Sequence, residues 1–323
     1  MNPFKLLAVA LGAATLAASA HAQGKFPDKT IRIVVPFAAG GGVDSAARLL
    51  ANQLQTQLGV AVIIDNRAGA NGVLGGKAVE TAPADGYTLL FSAATHVLAK
   101  EVMAKAPYDP QADFTPVAKV AEAPLMLVLA PQSPPTTLSD VLAHAKKEGE
   151  RWNAAIPAAG APSHLATLML AKAADARFTY VTYKGTQPAV VDVAGGHVQM
   201  LLDSMVALQP LAKAGRVKPI MVTSAKRVPL APEVPTAAES GYPGLTYASW
   251  YGVWAPKGVL PERVKQLNTA INAAVAEQTK QGAWAHLGLE PVAANDPEQF
   301  RQFVTGYVRH SADLLKSSGF KPE

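Results

Sequence analysis

Short apolar runs alternate with longer amphipathic stretches along most of the chain. Ile31, Ile33 and Val35 alternate, with Val34 also apolar, which predicts a strand over Thr30–Pro36. A Gly-rich turn follows. Ala46, Leu50, Leu54 and Leu58 then recur at helical spacing, predicting a helix over Val43–Leu58 that Gly59 ends. Strand Val60–Asp65, a turn over Asn66–Gly72, a short helix to Thr81 and strand Thr88–Ser92 complete a strand–helix–strand–helix–strand unit. Such a unit is parallel and right-handed.

The patterns lapse around Pro107–Pro116, and a second series starts at the apolar strand Leu125–Ala130. It predicts helix Ser139–Glu148, strand Asn153–Ile156, helix Ser163–Ala174, strand Thr179–Tyr183 and helix Gln187–Ala194. Strand Gln199–Asp203, a helix ending at Gly215 and strand Lys218–Thr223 follow. After a Pro-rich break (Pro229, Pro232, Pro235), Trp250–Ala255 matches Leu125–Ala130 in length and in its terminal Ala-Pro. Helices over Pro261–Gln278 and Pro297–Ser317 end the chain, each with Pro at its first position. The expectation is an α/β protein of two lobes, 23–124 with 256–323 and 125–255, joined by paired crossing strands. Ligands in such folds bind at the carboxyl ends of the strands, in the crevice between lobes.

Residues 1–22 stand apart from this pattern. Lys5, an apolar run over Leu6–Ala18 and the small-x-small sequence Ala20-His21-Ala22 predict a secretory signal cut after Ala22. The run is shorter than the ~20 apolar residues a membrane span needs. No Cys follows it, which excludes a lipoprotein anchor, so the predicted destination is the periplasm.

Composition removes several chemistries. Of 323 residues 49% are hydrophobic and none is Cys, so the chain is globular, with no disulfide, thiolate metal site or cysteine nucleophile. The seven His lack HExxH spacing, and no cofactor is implied. The net charge of +5 is spread along the chain, which suits an acidic small molecule better than nucleic acid.

The strongest local feature is Pro36-Phe37-Ala38-Ala39-Gly40-Gly41-Gly42-Val43-Asp44, between a strand and a helix. Its glycines admit close backbone approach; a β-branched side chain at Gly41 is expected to abolish binding by blocking that approach, with a positive φ as the second reason. The helix start favours an anion. The alternative is a tight turn with no ligand. Asp44 is placed to pair with Arg48 one turn on. A second such turn, Pro157-Ala158-Ala159-Gly160-Ala161-Pro162-Ser163-His164, offers Ser163 as a helix cap and His164 as either a base or a packing residue. Lys184 faces either an anionic ligand or solvent. Asp203, at a strand end, is either a site group or a cap. Ala94 and Thr95, just past strand Thr88–Ser92, join the candidate ligand contacts. Trp250, Tyr251 and Trp254 read as packing, with an aromatic ligand shelf as the minority alternative.

In order and spacing these segments resemble the Bug family, the periplasmic receptors of tripartite tricarboxylate transporters. The resemblance runs from Phe26-Pro27-Asp28-Lys29 and Ile31–Phe37, through Gly41-Gly42 with Asp44 and Arg48, and Asp65-Asn66-Arg67 with Gly69 and Gly72. It continues through Ala84-Asp85-Gly86-Tyr87-Thr88-Leu89-Leu90, Tyr108-Asp109-Pro110, Asp113-Phe114, His164-Leu165 and Tyr183-Lys184-Gly185. Gly195-Gly196, Val234-Pro235-Thr236, Glu239, Gly241, Trp250, Gly252 and Pro256 complete it, over nearly the whole chain.

The resemblance implies a two-lobed, type II-like periplasmic binding protein and not an enzyme. It would act as a monomer, capturing a di- or tricarboxylate, an acidic amino acid or an aromatic acid for transporter subunits. A receptor for a sensing system and a periplasmic hydrolase are the rival readings, the last lacking any nucleophile–base set in the sequence. The carboxylate would be held by backbone N–H groups of two turns, Phe37–Gly42 and Ala158–His164. Here Ala158 and Ala161 replace the Gly and Thr common in the family's second turn. The lost hydroxyl predicts a less polar site and a plain carboxylate ligand.

Overall fold

The computed structural model describes residues 26–322, so the expected leader over residues 1–22 lies outside the described residues. Strand β1 (Ile31–Val35) pairs in parallel with β2 (Val62–Asn66) and β3 (Thr88–Ala93). Alternation along β1 decides its burial. Ile31, Ile33 and Val35 pack with Leu50 and Leu54 of helix α1 (Gly42–Leu58). Val34 joins Leu90 and Val79 of α2 (Val73–Glu80) on the other face. Each such fully buried aliphatic stabilises by about 1.5–3 kcal/mol. Helix α1 ends where Gly59 turns left-handed (φ 68°) and its N–H caps Gln55 O. Two short helices, α3 (Ala94–Val97) and α4 (Ala99–Val102), follow β3.

Strand β4 runs over Phe114–Leu129, far longer than the expected Leu125–Ala130. Register shifts between Pro116 and Ala118 and between Lys119 and Ala121 break the two-residue alternation, which hides its first half in the sequence. That half pairs antiparallel with β9 (Ala248–Pro256) and with the short β10 (Glu290–Pro291). The second half, from Leu125, pairs with β7 (Met200–Ser204) and β8 (Lys218–Val222). β5 (Asn153–Ile156) lies between β7 and β6 (Thr179–Thr182), parallel to both. The second lobe also holds helices α5 (Leu138–Glu148), α6 (Pro162–Ala174), α7 (Thr186–Ala194) and α8 (Met205–Lys213). Helices α9 (Pro261–Lys280) and α11 (Pro297–Ser317), with the short α10 (Ala283–His286) between them, return to the first lobe. Leu267 and Ile271 pack on one face of its sheet, Phe300 and Val304 on the other.

Strand pairing corrects one boundary. The whole of β9 pairs with β3 and with the first half of β4, so its residues belong to the first sheet. The chain crosses back before Ala248, not at the expected 255/256. At this crossing Thr223 Oγ1 accepts from Leu125 N (2.9 Å) and donates to Tyr247 O (2.6 Å), tying both connections together. Among the described residues no helix is long and apolar enough to cross a membrane.

His96 of α3 is buried, and neither ring nitrogen has a hydrogen-bond partner. It sits edge-on to Phe114 and Trp254, at 4.5 and 4.9 Å between ring centres. Burial pushes its pKa down to about 3. The unfolded chain therefore takes up this proton first, and stability falls as pH drops from about 6.5 towards 3. His96→Leu removes two unsatisfied polar atoms from an apolar nest and is expected to stabilise by about 1–2 kcal/mol at neutral pH. The gain should widen with acidification. Urea unfolding of both proteins at pH 7 and pH 5 checks this, and a gap that narrows at pH 5 contradicts it.

Candidate functional site

The carboxyl ends of β1, β3, β5, β6 and β7 meet between the lobes, and the turns after them enclose a cavity of about 40 Å³. That is room for about three waters, so the cleft is shut. Direct bonds cross it. Gln187 Nε2 donates to Gly40 O (2.7 Å) and Ala159 N to Asn71 Oδ1 (3.2 Å).

The first turn is held from below by Asp44. Its carboxylate accepts Gly40 N, Arg48 Nε and Asn66 Nδ2, each at 2.9 Å. Asn66 Nδ2 also donates to Phe37 O (3.1 Å), joining both ends of the turn to the end of β2. Burial alone would raise the Asp44 pKa, but the bonds from Arg48, Gly40 and Asn66 together hold it below the usual carboxylate value. Asp44 thus shapes the turn. The left-handed residue is Gly40 (φ 84°); Gly41 is extended (φ −80°), contrary to the expectation for that position. The steric restriction lies at Gly42. A side chain there would run into Ser204 Oγ across the cleft and stand 2.7 Å from Tyr251 Oη. No side chain caps α1, so its first N–H groups, which have no partner within a helix, open on the cavity.

Three N–H groups of the second turn, expected to serve as an anion grip, are bonded within the fold. Ala159 N, Gly160 N and Ala161 N are committed to Asn71 Oδ1, His164 Nδ1 and Ala158 O. Pro162 has no N–H. Ala161, not Ser163, is the cap residue of α6, and the buried Ser163 hydroxyl has no partner. His164 accepts from Gly160 N (3.1 Å) and packs against Tyr180 and Phe320, so it orders the turn. Burial lowers its pKa to about 4.

Of the sequence candidates, Phe37, Ala38, Gly41, Gly42, Thr95, Ala161, Pro162 and Asp203 line the cavity together. Ala94, Ala158, Gly160, Ser163 and His164 are buried behind it, while Ala39 and Lys184 are exposed and outside it. Asp203 is 9% exposed, and Thr186 Oγ1 donates to its Oδ2 at 2.5 Å. Burial raises its pKa against the lowering effect of the Thr186 hydroxyl and Ser204 N–H.

Sequence reasoning missed Thr186, Ser204 and Ser249 and favoured packing for Tyr251. Thr186 and Ser204 each follow a flagged residue by a position or two. Ser249 and Tyr251 face the cavity because β9 alternates: Trp250 and Trp254 point into the core, and the Tyr251 hydroxyl meets Ser204 Oγ at 3.0 Å. Five hydroxyls therefore line a cavity for which the loss at Ala161 predicts lower polarity. Among the described residues no Lys, Arg or His lines it, so an anion here meets helix starts and hydroxyls.

Residues 46–320 match the model of the tripartite tricarboxylate transporter family receptor. The chain belongs to this family. Among solved structures it is similar to the periplasmic binding protein BugD (34% identity, TM-score 0.86, covering 92% of this chain and all of that one). It is also similar to R. palustris Rpa4515 with adipate (33%, TM-score 0.88, 93% and 100%). MatC from Rhodopseudomonas palustris with bound malate is a third (32%, TM-score 0.82, 90% and 100%). The two-lobed fold and the resemblance to the Bug family therefore hold. As a member of a receptor family the protein is a solute-binding protein and not an enzyme.

Proposed function

We propose that this receptor captures a small carboxylate in the periplasm and hands it to membrane subunits of a tripartite tricarboxylate-type transporter. One observation carries the reading: the uncapped start of α1, with Gly41 and Gly42, lies on a small cavity between the lobes that no side-chain cation lines among the described residues. Backbone donors and a helix dipole suit a carboxylate. Among the described residues, the carboxylates lining that cavity are Asp44, already tied to Arg48, and Asp203 on the opposite lobe. The binding of adipate by one structural neighbour and of malate by another supports the same class. In this reading the signal is cut after Ala22, and the lobes open about Pro124–Leu125 and the segment before Ala248.

The test is a thermal-shift panel of mono-, di- and tricarboxylates, acidic amino acids and aromatic acids, with small-angle scattering for closure. A ligand at 100 times its dissociation constant stabilises by about 2.7 kcal/mol. A carboxylate that raises the melting temperature and compacts the protein is the expected result. A panel with no shift at millimolar concentration overturns the proposal.

A further inference from the structure

The two sides of the cavity differ in polarity. On the first lobe, the start of α1 presents N–H donors. On the second lobe, Ala159, Gly160 and Ala161 of the turn after β5 have their N–H groups engaged, and the Asp203 carboxylate with its neighbour Thr186 faces the cavity beside the start of α7. Asp203 has no Lys, Arg or His within ion-pair distance among the described residues. An ionised carboxylate only accepts hydrogen bonds and has about four sites for them. The Thr186 hydroxyl takes one and the Ser204 N–H another. A ligand carboxylate placed against the remaining sites would be repelled, whereas a donor is welcomed.

Resting on the carboxylate reading above, we infer that Asp203 determines specificity: the ligand carries, beside the carboxylate held at Gly41–Gly42, a hydroxyl or ammonium that donates to Asp203. The ligand class is then 2-hydroxy or 2-amino carboxylates, and an unsubstituted chain of the same length is the poorer fit. A buried site that hydrogen-bonds a substituent rejects the analogue lacking it, because its own polar group is left unpaired.

Calorimetry of the wild-type receptor, Asp203→Asn and Thr186→Val tests this with three matched sets. These are propionate, lactate and alanine; succinate, malate and aspartate; and glutarate, 2-hydroxyglutarate and glutamate. In wild type, a hydroxy or amino member should bind at least ten-fold tighter than its unsubstituted parent. Asp203→Asn, nearly the same in size, should erase most of that preference. Thr186→Val, which leaves the acid in place, should keep it, and thermal unfolding verifies that both variants fold. A parent acid bound as tightly as its substituted partners overturns the inference and leaves the receptor reading standing. So does a preference that survives in folded Asp203→Asn. Should the second variant alone fold, loss of the preference in Thr186→Val also counts against it. A wild-type protein that binds no member of any set, nor any other carboxylate, overturns the receptor reading and the inference with it.

Discussion

Gly42→Ala is expected to cut ligand affinity by about 5- to 150-fold while leaving a folded protein. The added methyl would meet Ser204 Oγ, stand 2.7 Å from Tyr251 Oη and 2.8 Å from Ser204 Cβ. Ser204 Cβ is fixed to its backbone and Tyr251 Oη stands on a rigid, buried ring, so neither turns aside freely. Ser204 ends β7 of the second lobe, so its share of the clash is relieved by parting the lobes, which also breaks its bond to Tyr251. Overpacking of this kind costs about 1–3 kcal/mol, which converts to the stated range. Gly41→Ala is the control. Its methyl would find Thr186 Oγ1 at 3.5 Å, an ordinary contact, with backbone angles any residue adopts. Titration calorimetry on both variants, with thermal unfolding to verify the fold, decides the matter. Wild-type affinity in Gly42→Ala would remove this contact from the closing mechanism.

Asp44→Ala should lower stability by about 2–3 kcal/mol at neutral pH and weaken ligand binding with it. Asp44 is 3% exposed, and its loss strands Gly40 N–H and Asn66 as well as Arg48. The Arg48 side chain is half exposed, so the ion pair itself contributes little. Most of the loss comes from hydrogen bonds to a charged acceptor. Because the folded pKa of Asp44 lies below its unfolded value near 3.9, its contribution is present above about pH 4. It disappears as pH falls through the lower folded value. Urea unfolding should show a gap between wild type and variant at pH 7 that shrinks at pH 3. A gap unchanged at pH 3 would assign the effect to packing.

The lobes and the first turn were legible because their residues obey local rules. Period-two strands, a four-residue apolar repeat and a glycine stop define β1 and α1, and an i, i+4 Asp–Arg pair predicts the bond that organises the turn. The first half of β4 was not legible, since two bulges and the residues Pro116, Lys119 and Glu122 disguise a strand whose partner is more than 100 residues away. Its pairing with β9 is also what moved the second crossing to before Ala248. The bonds inside the second turn were hidden for another reason. Its composition matches an anion-binding loop, yet His164 and Asn71 take N–H groups that a sequence shows as free. Lys184 looked suited to an anion, but it points to solvent while Thr186, two residues on, reaches Asp203. Hydroxyls gathered from β7, β9 and α7 share a cavity only in three dimensions, and no local spacing reveals them.

The most direct measurement is a crystal structure of the protein with the carboxylate that gives the largest thermal shift. A carboxylate group with its oxygens on the backbone N–H groups of Gly41, Gly42 or Val43, inside the cavity closed by Ser204, Tyr251 and Pro162, is the predicted result. A ligand seated elsewhere, or a carboxylate turned away from the start of α1 towards Asp203, would contradict the account.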